Sequence, residues 1–162
     1  MNRIDHRTSL WFPVTPSDLW DTIERFQEFE SWWPWLRAFA ADSTGLIDGN
    51  VLHGTVMPPV PYRLHLDVGL EHCDRPHHID ATVTGDVTGP TVLRLTPAGV
   101  GTQVDMSWSL TMRSAPLRLG AHVAYPLLRW GHDRVVILAA NGFAHRALDA
   151  TLKTAPRDCP PE

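Results

Sequence analysis

The sequence predicts an α+β fold in which a long C-terminal helix covers the apolar face of a six- to seven-stranded antiparallel sheet, with two short helices between the first two strands. The middle of the chain consists of short segments in which apolar and polar residues alternate, as in strands with one buried face. Turn residues separate these segments by short connections, which favours antiparallel neighbours. After residue 116, a long segment carries an apolar stripe wide enough to cover such a sheet.

Length and composition indicate one globular domain. The chain has 162 residues, of which 43% are hydrophobic and 20% charged, and domains commonly span roughly 100–200 residues. We expect residues 1–152 to form a single domain and the proline-containing residues 153–162 to form a flexible tail. The formal net charge is −4 and no Lys/Arg run occurs, so we expect no nucleic-acid partner.

Other features of the sequence indicate the compartment. The first residues lack the apolar core of a signal peptide, and no run approaches the ~20 apolar residues of a membrane span. We therefore expect a cytoplasmic protein without stable membrane insertion, as a monomer or weak homodimer. Cys73 and Cys159 lie in a predicted hairpin and in the tail, so we expect no disulfide between them. No cofactor motif is present, and we expect no cofactor.

The N-terminal part begins with a strand over residues 4–12. Thr15, Pro16 and Asp18 form a helix start, with an N-cap, a proline at the first helical position and a carboxylate three residues after the cap. This helix is predicted to end near Gln27, and a second short helix is closed by Pro34. The tryptophans that follow either fill one end of the core or form the mouth of an apolar pocket; they are Trp32, Trp33 and Trp35.

Six further strands are predicted, over residues 39–44, 50–57, 62–73, 77–84, 88–97 and 102–113. The alternation is clearest in three of them, and the period of two assigns one set of side chains to the inner face. These inward positions are Tyr62, Leu64, Leu66, Val68, Leu70, Ile79, Ala81, Val83, Val104, Met106, Trp108, Leu110 and Met112.

The last long segment is predicted to become a continuous helix from about Leu127, after a kink or loop near Gly120 and Pro126. Its apolar stripe comprises Leu128, His132, Val135, Ala139 and Gly142. His132 is either a core histidine with a hydrogen-bond partner or a polar group aimed into a cavity, where it could act as a general acid or base.

Other candidate groups leave alternatives open. His53 either lines the pocket with Val51, Thr55 and Met57 or is a solvated strand residue, while Tyr62 and Trp108 either line a pocket or pack in the core. The segment from His72 to His78 is read as a hairpin tip and not as a metal site, because neighbouring strand residues point to opposite faces. No nucleophile elbow or glycine-rich phosphate loop is present, which argues against a nucleotide enzyme.

The order of these elements, a helix-grip pattern, resembles the START-like (SRPBCC) superfamily, and within it the polyketide cyclase/dehydrase and lipid-transport proteins. The resemblance covers roughly residues 5–150. It rests on Pro13-Val-Thr-Pro-Ser-Asp-Leu-Trp-Asp, Trp32-Trp33-Pro34, Pro61-Tyr-Arg-Leu, Thr84-Gly-Asp86 with Gly89, Gly101-Thr-Gln-Val-Asp-Met-Ser-Trp108 and Trp130-Gly-His-Asp133. It implies a helix-grip (START-like) fold, in which a curved antiparallel sheet wraps around the long C-terminal helix with a hydrophobic cavity between them. It does not imply a reaction.

Three functions remain open at this point. The leading hypothesis is binding or transport of a polyketide, lipid or isoprenoid in that cavity. The alternatives are a cyclase or dehydratase that uses His132 as general acid/base, and a fully packed structural or partner-binding domain. The residues expected to contact a ligand are Trp33, Trp35, His53, Tyr62, Leu64, Leu66, Val83, Val104, Met106, Trp108, Leu128, His132, Val135 and Ala139.

Overall fold

The computed structural model describes residues 3–57, 62–113, 115 and 138–148. Two helices, α1 (Pro16–Ile23) and α2 (Phe29–Trp32), flank a short 3₁₀ turn at Phe26–Glu28. The strands are β1 (Arg3–Phe12), β2 (Leu36–Ala41), β3 (Val51–Val56), β4 (Leu64–Asp74), β5 (His78–Gly85), β6 (Val87–Ala98) and β7 (Gly101–Met112).

The seven strands form one curved antiparallel sheet in the order β1-β7-β6-β5-β4-β3-β2. The sequence prediction of this fold class is confirmed. Because β1 and β2 are the two edges, the chain crosses from one edge of the sheet to the other through α1 and α2. These helices therefore lie where they can close one end of the apolar face.

One face of the sheet, here called the inner face, carries the apolar positions predicted from the alternation. Val68 lies opposite Val83, and Leu93 lies opposite Met106. On β1 the same face carries Leu10, which is opposite Val104. The other face, the outer face, carries the charged residues and most of the hydroxyl residues. The pairing register therefore places most of the hydrophobic residues of the strands on one side, as a buried face requires.

Helix α1 begins as the sequence predicts. Thr15 is the N-cap, and its hydroxyl oxygen accepts a hydrogen bond from the Asp18 backbone N–H at 3.2 Å. Leu19 and Trp20 are buried. The predicted end near Gln27 is wrong, because the α-helix stops at Ile23 and the chain tightens into the 3₁₀ turn. This bend brings Phe26 towards Phe29, with ring centroids 5.5 Å apart.

Glu24 connects α1 to the rest of the fold. One carboxylate oxygen accepts hydrogen bonds from the Trp20 indole N–H at 3.0 Å and from the Leu46 backbone N–H at 3.1 Å. The other oxygen accepts from Arg75 in the β4–β5 hairpin at 3.1 Å. A single side chain thus satisfies a buried indole donor and ties the hairpin tip to the helix.

An aromatic cluster fills the end of the inner face beside the helices. Phe12, Phe29, Trp32 and Phe143 are all buried there, together with Leu19, Leu36 and Val104. Phe143 contacts Phe12 and Trp32 edge-on, with ring centroids 5.4 and 5.7 Å apart. Burial of each large apolar side chain contributes about 1.5–3 kcal/mol. The cluster therefore fixes the helical residues 138–148 against α2 and closes this end of the sheet.

Two predictions about chain boundaries are corrected or lie outside the described residues. The strand expected at residues 39–44 is β2, at Leu36–Ala41, because a bulge between Arg37 and Ala40 breaks the alternation. Residues 42–50 form the connection to β3. The predicted helix start near Leu127, the kink near Gly120 and Pro126, and the tail 153–162 all lie outside the described residues. Within the described part of the chain, no helix is long and apolar enough to span a bilayer.

Candidate functional site

The inner face carries seven of the predicted ligand-contacting residues, and they do not share one environment. Val83 and Val104 are buried in packed clusters. The others are only partly buried; they are Tyr62, Leu64, Leu66, Met106 and Trp108. Apolar side chains that face inward without being fully covered are typical of the wall of a ligand cavity.

The partly buried residues concentrate at the end of the inner face away from α1 and α2. There Tyr62, Leu66 and Val68 pack around the buried Val83, Val87 and Met112, together with Ile4 and Leu110. We call this region the half-open end. It contrasts with the aromatic cluster, where the large side chains are almost fully covered.

Polar groups on the inner face were missed by sequence reasoning. His6 is paired with Trp108 across β1 and β7, and the two rings stack with centroids 4.6 Å apart. Thr8 and Thr91 occupy inner positions beside Met106 and Trp108 in the register. The alternation in β1 could have identified them, because His6 and Thr8 are an even number of residues from Ile4, Leu10 and Phe12 and so lie on the same face of the strand.

Tyr62 supplies a further polar group at the half-open end. It is half-buried, and this burial raises the pKa of its phenol above the ordinary value of 10.0. The hydroxyl therefore stays neutral throughout the physiological range and can donate a hydrogen bond to a carbonyl or hydroxyl oxygen.

The pocket-lining interpretation of His53 is wrong. His53 does lie on the face of β3 that carries Val51 and Thr55, but this is the outer face. Its Nδ1 is 2.6 Å from Asp67 Oδ1, and its Nε2 is 2.9 Å from Asp42 Oδ1. The hydrogen bond to Asp67, followed by that to Asp42, raises the pKa of the imidazole above 6.5. His53 therefore clamps neighbouring strands together on the solvent side.

Trp33 and Trp35 lie at the corner between α2 and β2. The Trp33 indole N–H donates to the Ala139 carbonyl at 2.9 Å, so this residue anchors the C-terminal helical segment. Trp35 stacks on Trp33 with ring centroids 5.9 Å apart. In the described part of the chain, the buried Trp35 indole nitrogen has no hydrogen-bond partner. Leu128, His132 and Val135 lie outside the described residues.

The hairpin from His72 to His78 has the environment of an exposed turn. His78 Nε2 is 2.9 Å from Asp80 Oδ1, whereas His72 Nδ1 is 3.9 Å from Asp48 Oδ2. Among the described residues, no group of three or more His, Cys, Asp or Glu comes together as metal ligands would. Cys73 is a free thiol whose burial raises its pKa to about 11, so it is a poor nucleophile at neutral pH.

Two shallow grooves of about 450 and 600 Å³ run along the outer face above β7. Their lining includes serines of β1 and β7, arginines of β1 and β6, and two aspartates. Several of these polar groups bond one another, as Arg3 does with Asp5 at 2.9 Å and Ser9 does with Asp105. Their chemistry does not suit an apolar ligand, in contrast to the half-open end.

A curved antiparallel sheet with one apolar face, two short helices joining its edge strands and a helical segment seated on that face define the helix-grip class. Within this class, a family model described as polyketide cyclase/dehydrase and lipid transport matches residues 4–154. The match spans almost the whole chain, and the protein therefore belongs to this family.

Solved structures support the fold at low sequence identity. TTHA0849 from Thermus thermophilus gives a TM-score of 0.73 at 11% identity and covers 91% of this chain and 99% of that chain. The Zhui aromatase/cyclase from Streptomyces sp. R1128 gives 0.72 at 13% identity, with 92% and 96% covered. Truncated norcoclaurine synthase from Thalictrum flavum gives 0.60 at 13%, with 88% and 91% covered. No curated protein matches the sequence.

Proposed function

We propose that the protein binds and carries a hydrophobic small molecule of polyketide, lipid or isoprenoid type between the inner face of the sheet and the C-terminal helix. The observation that supports this proposal best is the contrast between the two ends of the inner face. Aromatic side chains fill one end, whereas Tyr62, Leu66 and Leu110 remain only partly buried at the other. The third hypothesis, a fully packed domain, predicts no such contrast.

Apolar contact would supply most of the affinity. Each Å² of apolar surface removed from water contributes about 25 cal/mol, so a ligand burying roughly 300 Å² gains about 7–8 kcal/mol before the entropic terms of binding are subtracted. The Tyr62 hydroxyl would orient a ligand oxygen. This division of roles, with apolar walls and few polar groups, is usual for small-molecule pockets.

The proposal is tested with native mass spectrometry of the purified protein, extraction of any bound compound, and titration with the neutral apolar dye N-phenyl-1-naphthylamine. Leu66→Trp fills the half-open end and should weaken dye binding by about tenfold or more. His65→Trp adds the same side chain on the outer face, where His65 is 74% exposed, and should leave binding unchanged. Equal affinities for both variants and the wild type would contradict the proposal.

A second candidate is a cyclase or dehydratase in which His132 acts as general acid or base on a bound poly-ketone. It is supported by the polar groups on the inner face, because His6, Thr8 and Thr91 add to the few that the sequence had suggested. Such catalysis needs several polar groups near one reacting position. Incubation with a linear poly-β-keto thioester, followed by chromatography, distinguishes the two. Cyclised product that is lost in His132→Ala, with binding retained, would favour the enzyme.

A further inference from the structure

A further groove lies outside the inner face, at the corner between residues 32–35, Met57 just after β3 and one side of the helical residues 138–146. Its volume is about 570 Å³, which is within the usual range for a small-molecule site. We call it the corner groove. Its position depends on Gly142, where a Cβ atom would lie 2.6 Å from the Trp32 carbonyl oxygen, so the helical segment approaches the corner unusually closely.

The aromatic cluster lies between the corner groove and the half-open end. Trp32 and Phe143 are 2% and 7% exposed, and Phe143 is in contact with Phe12 on β1. The residues that line the groove include none of the partly buried residues of the half-open end. A ligand in the groove would therefore be separate from one bound on the inner face.

The lining combines apolar walls with basic groups. Met57 and Leu138 are each 39% exposed and give the groove much of its apolar surface. Among the described residues, no carboxylate lines the groove, although the chain carries a net charge of −4. His145 and Arg146 do line it. This combination favours a ligand with an apolar body and a negative charge.

Arg146 is held in place at the groove. Its Nη1 donates to the carbonyl oxygens of Ser31 and Trp32, both at 3.1 Å. A guanidinium group has five N–H donors in a fixed planar arrangement, so the remaining donors can bind an oxyanion without losing these two bonds.

We propose that the corner groove is a second binding site, for a small amphipathic anion: a rigid apolar body that carries one carboxylate, sulfonate or phosphate group. The apolar body lies against Met57, Leu138 and the Trp35 ring, and the anionic group lies at Arg146. This site does not depend on whether the inner face binds a ligand.

The test uses two dyes that share a ring system. The anionic dye is 8-anilinonaphthalene-1-sulfonate, and N-phenyl-1-naphthylamine is its counterpart without the sulfonate. Leu138→Asp places a carboxylate on the groove wall and should raise the Kd of the anionic dye by about tenfold or more. Val100→Asp is the matched control, since Val100 is 88% exposed in the β6–β7 turn and makes the same change of net charge far from the groove.

The proposal requires that Val100→Asp changes the Kd of the anionic dye by less than about twofold, and that the neutral dye binds all variants equally. Equal weakening by both Asp variants would show a net-charge effect and overturn the proposal. Weaker binding of the neutral dye to Leu138→Asp would show that the groove does not select for an anionic group and would overturn the proposal. His145→Glu is the second variant if circular dichroism shows that Leu138→Asp unfolds, and it must give the same result. If the neutral dye binds neither the wild type nor any variant, the inner-face proposal fails. The test of the corner groove remains valid, because it compares the Kd of the anionic dye for Leu138→Asp and Val100→Asp.

Discussion

At the scale of single residues, His53 shows how one side chain can connect three segments of the sheet. Asp42 follows β2, His53 lies in β3 and Asp67 lies in β4, and both ring nitrogens are within hydrogen-bond distance of a carboxylate. Both nitrogens donate only when the imidazole is protonated. The clamp is therefore complete in the imidazolium form and incomplete in the neutral form.

The pH dependence of stability follows from this geometry. The two carboxylates raise the pKa of His53 above 6.5 in the folded protein, so its contribution is fully present below the unfolded value and is lost as the pH rises through the folded pKa. We expect His53→Gln to lower the urea midpoint more at about pH 5.5 than at about pH 8.5.

Urea denaturation of wild type and variant at both pH values measures this difference, and the His53 Hε1 resonance reports the folded pKa directly. The control is His77→Gln, an exposed histidine of the β4–β5 hairpin. A variant whose loss of stability is the same at both pH values would show that the clamp is not coupled to protonation.

At the scale of elements, the close contact of the C-terminal helical segment with residues 32–33 requires a glycine at position 142. Gly142 lies beside the Trp32 carbonyl oxygen and the Trp33 ring, and an added Cβ would be 2.6 Å and 3.0 Å from them. The contact continues through the Trp33 N–H, which donates to the Ala139 carbonyl. Together these contacts hold the segment against the corner.

Gly142→Ala should destabilise the protein by about 1–3 kcal/mol, the usual range for overpacking. Helix propensity alone predicts the opposite sign, because Ala is favoured over Gly by about 1 kcal/mol. Asn141→Ala, at an exposed neighbouring position, should be neutral or slightly stabilising. Denaturant midpoints of the two variants check this. A higher midpoint for Gly142→Ala than for the wild type would show that residues 32–33 shift to accommodate the added methyl group without strain.

The sequence predicted these elements where the pattern was regular and failed where it was interrupted. The period of two placed Met106 and Trp108 on the inner face, as the structure has them. In β3 the inner positions are Leu52, Gly54 and Val56, and Gly54 gives no hydrophobic signal because it has no side chain. A Cβ atom added there would lie 3.0 Å from the Leu36 side chain, which occupies that space. The direction of His53 was therefore undecided.

The corner groove could not be predicted from the sequence, for a different reason. It depends on how closely the helical segment approaches residues 32–35, which is a tertiary distance and leaves no periodic pattern. His6, in contrast, could have been found, because its parity in β1 matches that of Leu10 and Phe12. Binary patterning thus identified the faces of the strands, but not the cavities that form where elements meet.

At the scale of the whole molecule, the two ends of the inner face are expected to differ in stability. The aromatic cluster joins β1, α1, α2 and the C-terminal segment through fully buried side chains. At the half-open end, the buried residues among those described are Val83, Val87 and Met112, and their neighbours are partly covered. Regions with fewer buried apolar contacts open locally at lower free energy.

A ligand on the inner face should therefore protect one end selectively. At a free concentration of 100 times its Kd, the ligand stabilises the folded state by about 2.7 kcal/mol. With N-phenyl-1-naphthylamine bound, we expect amide hydrogen exchange to slow in β4 and β5 near Leu66 and Val83, while α1 and α2 change little because they are already protected. Exchange measured by mass spectrometry checks this, with Leu66→Trp at the same dye concentration as the control, because its weaker binding should give less protection. Protection that rises equally at both ends, or that is undiminished in Leu66→Trp, would place the ligand elsewhere than the half-open end.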